Sequence, residues 1–159
     1  MIVIATAQLK RIVDEAEQSF PNESCGLLVG VEEAGTTGRT VRVLDVQASP
    51  NLAQEPERRF EVDPALRLRL QRELRGSGTR VVGLYHSHPN GKAQPSAQDL
   101  AAAWEPDLAW LITAVRDRQA VLTSAHLLAE NDGRLRFVPV ALRTDDWEPY
   151  VERVGDGGP

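Results

Sequence analysis

The sequence contains a single cysteine, Cys25, among its 159 residues. No disulfide can form within the chain, as is usual for a protein of a reducing compartment. No stretch approaches the roughly 18 apolar residues that a membrane helix needs, the longest candidate being the short run from Leu108 to Val115. The apolar start, Met1 to Ala7, has neither a charged leader nor a small-residue cleavage site. We therefore expect a cytoplasmic protein without a signal peptide and without a membrane partner.

The sequence also lacks an excess of positive charge. It carries 18 Lys and Arg residues against 23 Asp and Glu residues, a formal net charge of −5. Nucleic acid is therefore not an expected partner. One locally basic region is typical of a solvated helix face, and the alternative is a docking surface for an acidic protein; its arginines are at positions 58, 59, 67, 69, 72, 75 and 80.

The composition is that of an ordinary folded domain. Hydrophobic residues make up 42% and charged residues 26% of the chain, which excludes collagenous, disulfide-dense and disordered classes. The length matches one domain with a core of its own. We expect a single domain over residues 1–150 and a disordered tail over residues 151–159.

Hydrophobic periodicity predicts alternating helices and strands, which is an α/β protein. A short strand from Ile2 precedes an amphipathic helix for which Thr6 is the expected N-cap. A second helix begins after Asp63 and ends near Arg75. A third runs from Ser96 through Trp104. The remaining strands are predicted at 25–31, 41–46, 81–85, 108–115, 120–128 and 135–142.

The stretch that carries chemistry begins where the buried strand 81–85 runs into His86. Side chains two apart on a strand point to the same face, so His86 and His88 can offer two imidazole nitrogens to one point. Asp99, in the first turn of the next helix, can face the same point. Two nitrogens and one oxygen would leave a tetrahedral zinc ion with its fourth position open to water. Taken singly, each residue has a structural alternative, since Ser96-x-x-Asp99 is also a helix capping box.

This window resembles the JAMM metalloprotease motif of the MPN domain family. That motif is His-x-His-Pro, six residues, Ser, two residues and Asp, and every position is filled here between His86 and Asp99. Short prokaryotic members also carry Pro-x-Glu-x-Cys-Gly, which matches the segment from Pro21 to Gly26. Asn51 and the segment 59–64 look like the loop and helix start of the family. The resemblance covers the chain from the first helix to about Val115.

The resemblance implies the cytidine-deaminase-like α-β-α sandwich of the JAMM group, with a mixed β-sheet. It implies that His86, His88 and Asp99 bind one zinc ion per chain, with a catalytic water as the fourth ligand. Glu23 would take a proton from that water, and Ser96 would hydrogen-bond the developing oxyanion.

The resemblance further implies a zinc-dependent peptidase or isopeptidase. Short prokaryotic members with the Pro-x-Glu-x-Cys-Gly segment resemble enzymes that cut at the Gly-Gly C-terminus of a ubiquitin-fold sulfur-carrier protein, removing a peptide extension or a cysteine adduct. Two alternatives stay open at this point. One is a RadC-like DNA-associated metal protein, and the other is a non-catalytic MPN scaffold module.

Four further residues have simpler interpretations. Cys25 is typical of an inert buried thiol, although its position beside Glu23 leaves a regulatory role open. His126 has nothing at ligand spacing and is expected to be structural. Trp104 and Trp110 are expected in the core or in a pocket wall.

Overall fold

A computed structural model describes residues 1–36 and 38–146. The expected tail, residues 151–159, and the end of the expected domain lie outside the described residues. The elements in chain order are β1 (Ile2–Ala5), α1 (Thr6–Ser19), β2 (Cys25–Gly35), β3 (Gly38–Ser49), α2 (Pro64–Glu73), β4 (Arg80–His88), α3 (Ala97–Ala102), β5 (Ala109–Arg116), β6 (Gln119–Asn131), β7 (Arg134–Val140) and β8 (Leu142–Asp145). Across the described ranges, no helix is both long and apolar enough to cross a membrane.

The strands form one eight-stranded sheet in the order β7-β6-β5-β4-β2-β3-β1-β8. Strand β1 pairs in parallel with β3 and β8, and β4 pairs in parallel with β5. The other neighbours pair antiparallel. The sheet is therefore mixed, as expected, and β2, β4 and β5 form its centre.

The two ends of the sheet meet at Ala141. Strands β7 and β8 stand at opposite ends of the strand order, yet only this residue separates them in the chain. The amide of Ile2 donates to the Ala141 carbonyl at 2.9 Å, so the sheet must curl until its first and last strands are adjacent. The predicted strand over 135–142 is confirmed as β7 up to Val140, but Leu142, its predicted last residue, belongs to β8. Val140 and Leu142 both pack against the same core cluster, so the apolar pattern continues across the point where the chain changes partners.

Helices cover both faces of the sheet. The face under α1 holds the larger cluster, in which Ile12 packs with the buried side chains of Ile2, Leu28 and Leu111. The opposite face holds a second cluster that includes Leu66 and Leu70 of α2. The predicted α-β-α sandwich is confirmed.

The helix ends follow local chemistry. The Asp63 side chain accepts from the Ala65 amide and caps α2, as predicted. Thr6 is not the N-cap of α1: the helix begins directly after β1 with Ala5 as N-cap, and the Thr6 hydroxyl donates to Asp146 at 3.2 Å. Helix α3 ends at Ala102 rather than at Trp104, because the backbone of its C-cap residue, Ala103, leaves the helical region with φ −87° and ψ 84°.

Gly30 allows β2 and β3 to approach closely. A Cβ atom at this position would lie 1.9 Å from the carbonyl oxygen of Arg42, which is backbone and cannot rotate away. We expect Gly30→Ala to lower the free energy of unfolding by about 1–3 kcal/mol or more, the cost of overpacking. The urea midpoint measures it, with Glu130→Ala at an exposed strand position as control. A midpoint equal to wild type would contradict this packing.

Candidate active site

The three predicted ligand residues meet where the end of β4 faces the start of α3. His86, His88 and Asp99 are 0%, 6% and 4% exposed. The Nε2 atoms of His86 and His88 lie 3.0 Å apart. Asp99 Oδ1 lies 3.1 Å from His86 Nε2, and Asp99 Oδ2 lies 3.1 Å from His88 Nε2. Two strand residues and one helix residue thus direct their donor atoms to a common centre.

The loop after His88 returns the chain to this centre. Asn90 Oδ1 accepts from the Lys92 amide at 3.0 Å, and Gly91 takes a positive φ of 77° in the turn. The Ser96 hydroxyl then accepts from the Asp99 amide at 3.0 Å, and Asp99 Oδ2 accepts from the Ser96 amide at 2.8 Å. This is a complete capping box. The capping interpretation of Asp99 is confirmed. It is compatible with the predicted ligand role, because the same carboxylate faces both the helix start and the imidazoles.

Glu23 is buried beside the imidazoles, from the segment between α1 and β2. It is 4% exposed, and its Oε1 lies 4.0 Å from His88 Nε2. Its amide donates to the Pro56 carbonyl at 2.7 Å, and its carbonyl accepts from Asn51 Nδ2 at 3.0 Å. Asn51 therefore fixes the backbone that carries Glu23.

The residue between the two histidines fastens β2 to β4. The Ser87 hydroxyl accepts from the Ser24 amide at 2.8 Å, and the Ser87 amide donates to the Ser24 carbonyl at 3.0 Å. The Pro-x-Glu-x-Cys-Gly and His-x-His-Pro segments, some sixty residues apart, are thus joined directly at the site.

Burial and neighbouring charges set the protonation of these groups. Burial raises the pKa of Glu23 to about 7, with Asp99 adding to the rise and His88 opposing it. Burial alone would also raise the pKa of Asp99, but hydrogen bonds from both imidazoles hold it far below its usual range. Burial lowers the pKa of His86. For His88 burial acts in the same direction, but Asp99, the Lys92 carbonyl and Glu23 outweigh it and raise the pKa.

The donor set fits a divalent cation. The Nδ1 atom of His88 lies 2.8 Å from the Lys92 carbonyl, which can only accept, so Nδ1 carries a proton and Nε2 is the nitrogen left for a cation, which would displace the proton shared with Asp99. Ligand atoms of Glu23, His86 and His88 lie within 4.8 Å of one another. Asp99 is closer to both imidazoles than Glu23 is to His88. Buried imidazole nitrogens with a carboxylate oxygen form a set that zinc accepts.

An aromatic wall shields the back of His86. The Phe60 ring stacks on the His86 ring at 4.2 Å between centroids, and the Trp110 ring meets it edge-on at 5.7 Å. Trp110 is buried, as expected. The sequence predicts no role for Phe60 itself, although the segment 59–64 resembles the helix start of the family. The wall keeps one side of His86 dry.

A groove crosses the site between the segment 57–61 and α3. A cavity of about 380 Å³ is lined by Glu23, His88 and Ser96. It shares Arg58 and Gln98 with a cavity of about 320 Å³ beside Asp99. That cavity shares Phe60 and Ala102 with an apolar cavity of about 380 Å³. Trp104 lines the apolar cavity but is 76% exposed, so its placement in the core was wrong and its placement in a pocket wall is confirmed.

Cys25 is 2% exposed, and burial raises the pKa of its thiol to about 12. Only the thiolate reacts as a nucleophile. We expect iodoacetamide at pH 8 to leave Cys25 unmodified in the native protein and to label it fully in guanidinium chloride, as read by intact mass. Stoichiometric labelling of the native protein within minutes would contradict this burial.

Comparison with known proteins places this site in a family. The model of the prokaryotic homologs of the JAB domain matches residues 5–127. The CysO-cysteine peptidase of Mycobacterium tuberculosis is 27% identical over 117 residues, covering 74% of this chain and 75% of the relative. A desampylase of Haloferax volcanii is 35% identical over 92 residues, covering 58% of this chain and 62% of the relative. The solution structure of a Desulfitobacterium hafniense protein, 29% identical, superposes with a TM-score of 0.71 and covers 91% of this chain and 94% of that one. The chain therefore belongs to the prokaryotic JAB-domain family, as its two motifs indicated.

Proposed function

We propose that this protein is a zinc-dependent peptidase that hydrolyses a bond at the Gly-Gly C-terminus of a ubiquitin-fold sulfur-carrier protein. The observation that carries the proposal is a buried carboxylate, Glu23, with its Oε1 4.0 Å from one of two convergent imidazoles. The names of the relatives, a CysO-cysteine peptidase and a desampylase, support the hydrolase assignment and the class of small-protein substrate.

His86, His88 and Asp99 would hold the zinc ion. Zinc bound there would polarise the scissile carbonyl and lower the pKa of a coordinated water to about 7. The remaining tasks, proton transfer, oxyanion stabilisation and substrate positioning, belong to side chains of the protein.

Glu23 handles the proton. Burial raises its pKa to about 7 in the metal-free protein, and a buried carboxylate in this position can take a proton and return it. It is fixed by its backbone contacts with Pro56 and Asn51, so its carboxylate can receive the proton of the attacking water and deliver it to the leaving amine.

Ser96 has the free donor that an oxyanion needs. Its oxygen accepts from the Asp99 amide at 3.0 Å, which leaves the hydroxyl proton unused by the capping box. That proton can be donated to the developing negative charge on the substrate oxygen. The fold of α3 therefore positions this hydroxyl before any substrate binds.

The groove suits an extended, slender substrate tail. Glu23, His88 and Ser96 line one part of it, and the walls of the segment 57–61 and α3 leave room for a backbone to approach the imidazoles. Glycine lets backbone come close without a side-chain clash, so a Gly-Gly terminus fits the reacting end.

The test is intact-mass spectrometry of ubiquitin-fold carrier proteins ending in Gly-Gly, made with a short peptide extension or with a C-terminal cysteine. Each is incubated with the zinc-loaded protein and with the chelated protein. Loss of the extension or of cysteine with the zinc-loaded protein only is expected, and it identifies the adduct that is cut. No mass change in any carrier, with zinc shown to be bound, would overturn the proposed substrate.

A further inference from the structure

Strand β6 places two polar side chains on the same face of the sheet as the ligand histidines. Ile112 of β5 is paired with His86 on one side and with Ser124 on the other. Residues paired directly across strands point to the same face of the sheet, so the side chains of Ser124 and His86 lie on the same face. His126, two residues further along β6, shares that face and is 6% exposed.

The Ser124 hydroxyl makes two hydrogen bonds, one to the loop before α3 and one with His126. The Ser124 hydroxyl donates to the carbonyl of Ala93, whereas the next acceptor, the Ile112 carbonyl, is 3.5 Å away. His126 Nε2 lies 2.9 Å from the same hydroxyl oxygen. A hydroxyl has one proton, and a carbonyl can only accept. The Ser124 proton therefore goes to Ala93, which leaves a lone pair of the Ser124 oxygen to accept from His126 Nε2; His126 also reaches the Ala93 carbonyl itself.

The carbonyl that Ser124 holds is next to the carbonyl that orients His88. Ala93 and Lys92 are consecutive in the loop between the ligands, and the Lys92 carbonyl accepts from His88 Nδ1 at 2.8 Å. This contact holds a proton on Nδ1 and so leaves Nε2 as the nitrogen that faces the ligand centre. The loop has no helix or strand of its own before α3. The bond from β6 fixes the Ala93–Gln94 peptide, which adjoins the peptide that carries the Lys92 carbonyl, and Ala93 between them is itself buried.

We propose that Ser124, ordered by His126, is a positioning residue for the metal ligand His88. It fixes the Ala93 carbonyl, thereby fixes the Lys92 carbonyl, and so sets the ring orientation and tautomer of His88. This inference rests on the proposed function for the ligand role of His88. Partners that orient a ligating histidine typically contribute about 10–100-fold in metal affinity.

The experiment measures zinc affinity by competition with a chromogenic chelator, without reference to catalysis. Ser124→Ala is expected to weaken zinc binding up to about 10-fold, the lower end of the range for direct partners of a ligating histidine, because the direct partner is the Lys92 carbonyl and Ser124 acts through it. Ser124→Thr, which keeps the hydroxyl, is expected to restore most of the affinity. Thr123→Ala is the matched control. Thr123 is the neighbouring residue on the opposite face, its hydroxyl pairs with that of Thr113 at 2.9 Å, and its loss is expected to leave zinc affinity unchanged.

His126 supplies an independent pair of variants. His126→Gln keeps an N–H donor and is expected to retain zinc affinity, whereas His126→Leu removes the donor and is expected to weaken binding in the same direction as Ser124→Ala. If both residues act through the Ala93 carbonyl, the double variant Ser124→Ala with His126→Leu binds zinc no more weakly than Ser124→Ala alone. Additive losses would separate His126 from this chain of contacts.

A second readout follows the ring itself in the metal-free protein. At a pH high enough to make the His88 ring neutral, long-range ¹H–¹⁵N spectra are expected to show His88 protonated on Nδ1 in the wild type and as mixed tautomers in Ser124→Ala. Wild-type zinc affinity and a wild-type His88 tautomer in folded Ser124→Ala would overturn the positioning role and leave the proposed function intact. A wild-type protein that binds no zinc would overturn both.

Discussion

Glu23→Gln is expected to lower the rate of carrier hydrolysis by about 10²–10⁴-fold, the range that general acid–base catalysis contributes. Glutamine has nearly the same shape but cannot take a proton from water. Glu23 is 4% exposed, and its Oε1 lies 4.0 Å from His88 Nε2. A carboxylate ion from the solvent therefore cannot reach this position and take over the proton transfer. Turnover of the carrier, followed by intact mass, measures the loss.

Zinc content separates the two roles that Glu23 could have. As a proton carrier it leaves the stoichiometry and affinity of zinc unchanged when replaced by Gln. The Glu23 carboxylate also lies within 4.8 Å of the imidazole nitrogens, so it could be a ligand. In that case the change to Gln would weaken zinc binding. Glu130→Gln, at an exposed position of β6, is the control and is expected to behave as wild type. Full activity in Glu23→Gln would remove Glu23 from the mechanism.

Asp99→Asn is expected to weaken zinc binding by more than about 100-fold, since even residues that only orient a ligand account for 10–100-fold. The carboxylate lies 3.1 Å from each Nε2 atom, so its charge and its oxygen are lost from the centre of the donor set. Asparagine keeps the size of the side chain and still offers one oxygen to the Ser96 amide. Chelator competition measures the affinity.

Urea unfolding of the metal-free variant distinguishes this loss from misfolding. An unfolding midpoint close to that of wild type, together with weak zinc binding, assigns the effect to ligation. Wild-type zinc affinity in folded Asp99→Asn would show that zinc is held by His86, His88 and Glu23 and not by Asp99.

The site was largely predictable because its chemistry is encoded in short segments. A strand that ends at His88 places two imidazoles on one face, and a helix that starts at Ser96 turns Asp99 toward them. Both are local geometry, and the structure brings all three together. The position of Glu23 was different, because it depends on the pairing of Cys25 with His86 across β2 and β4, and only the resemblance indicated it.

Contacts between distant segments were not predictable. The curl of the sheet leaves no mark in the sequence, since Val140 and Leu142 read as one apolar run although they belong to opposite ends of the sheet. Phe60 stacks on His86 only because the loop after β3 folds over β4. The spacing of His126 predicted a structural residue, and its proximity to the loop before Ser96 is a property of strand register.

Zinc K-edge X-ray absorption of the wild-type protein, loaded with one equivalent of zinc, identifies the ligands of the metal directly. We expect zinc to be surrounded by nitrogen and oxygen ligands only, with the outer-shell scattering of two imidazoles and with no sulfur. A zinc–sulfur path near 2.3 Å, the distance typical of a thiolate ligand, would show that Cys25 rather than the His86, His88 and Asp99 centre holds the metal. Failure to bind one equivalent of zinc would contradict the metal centre itself.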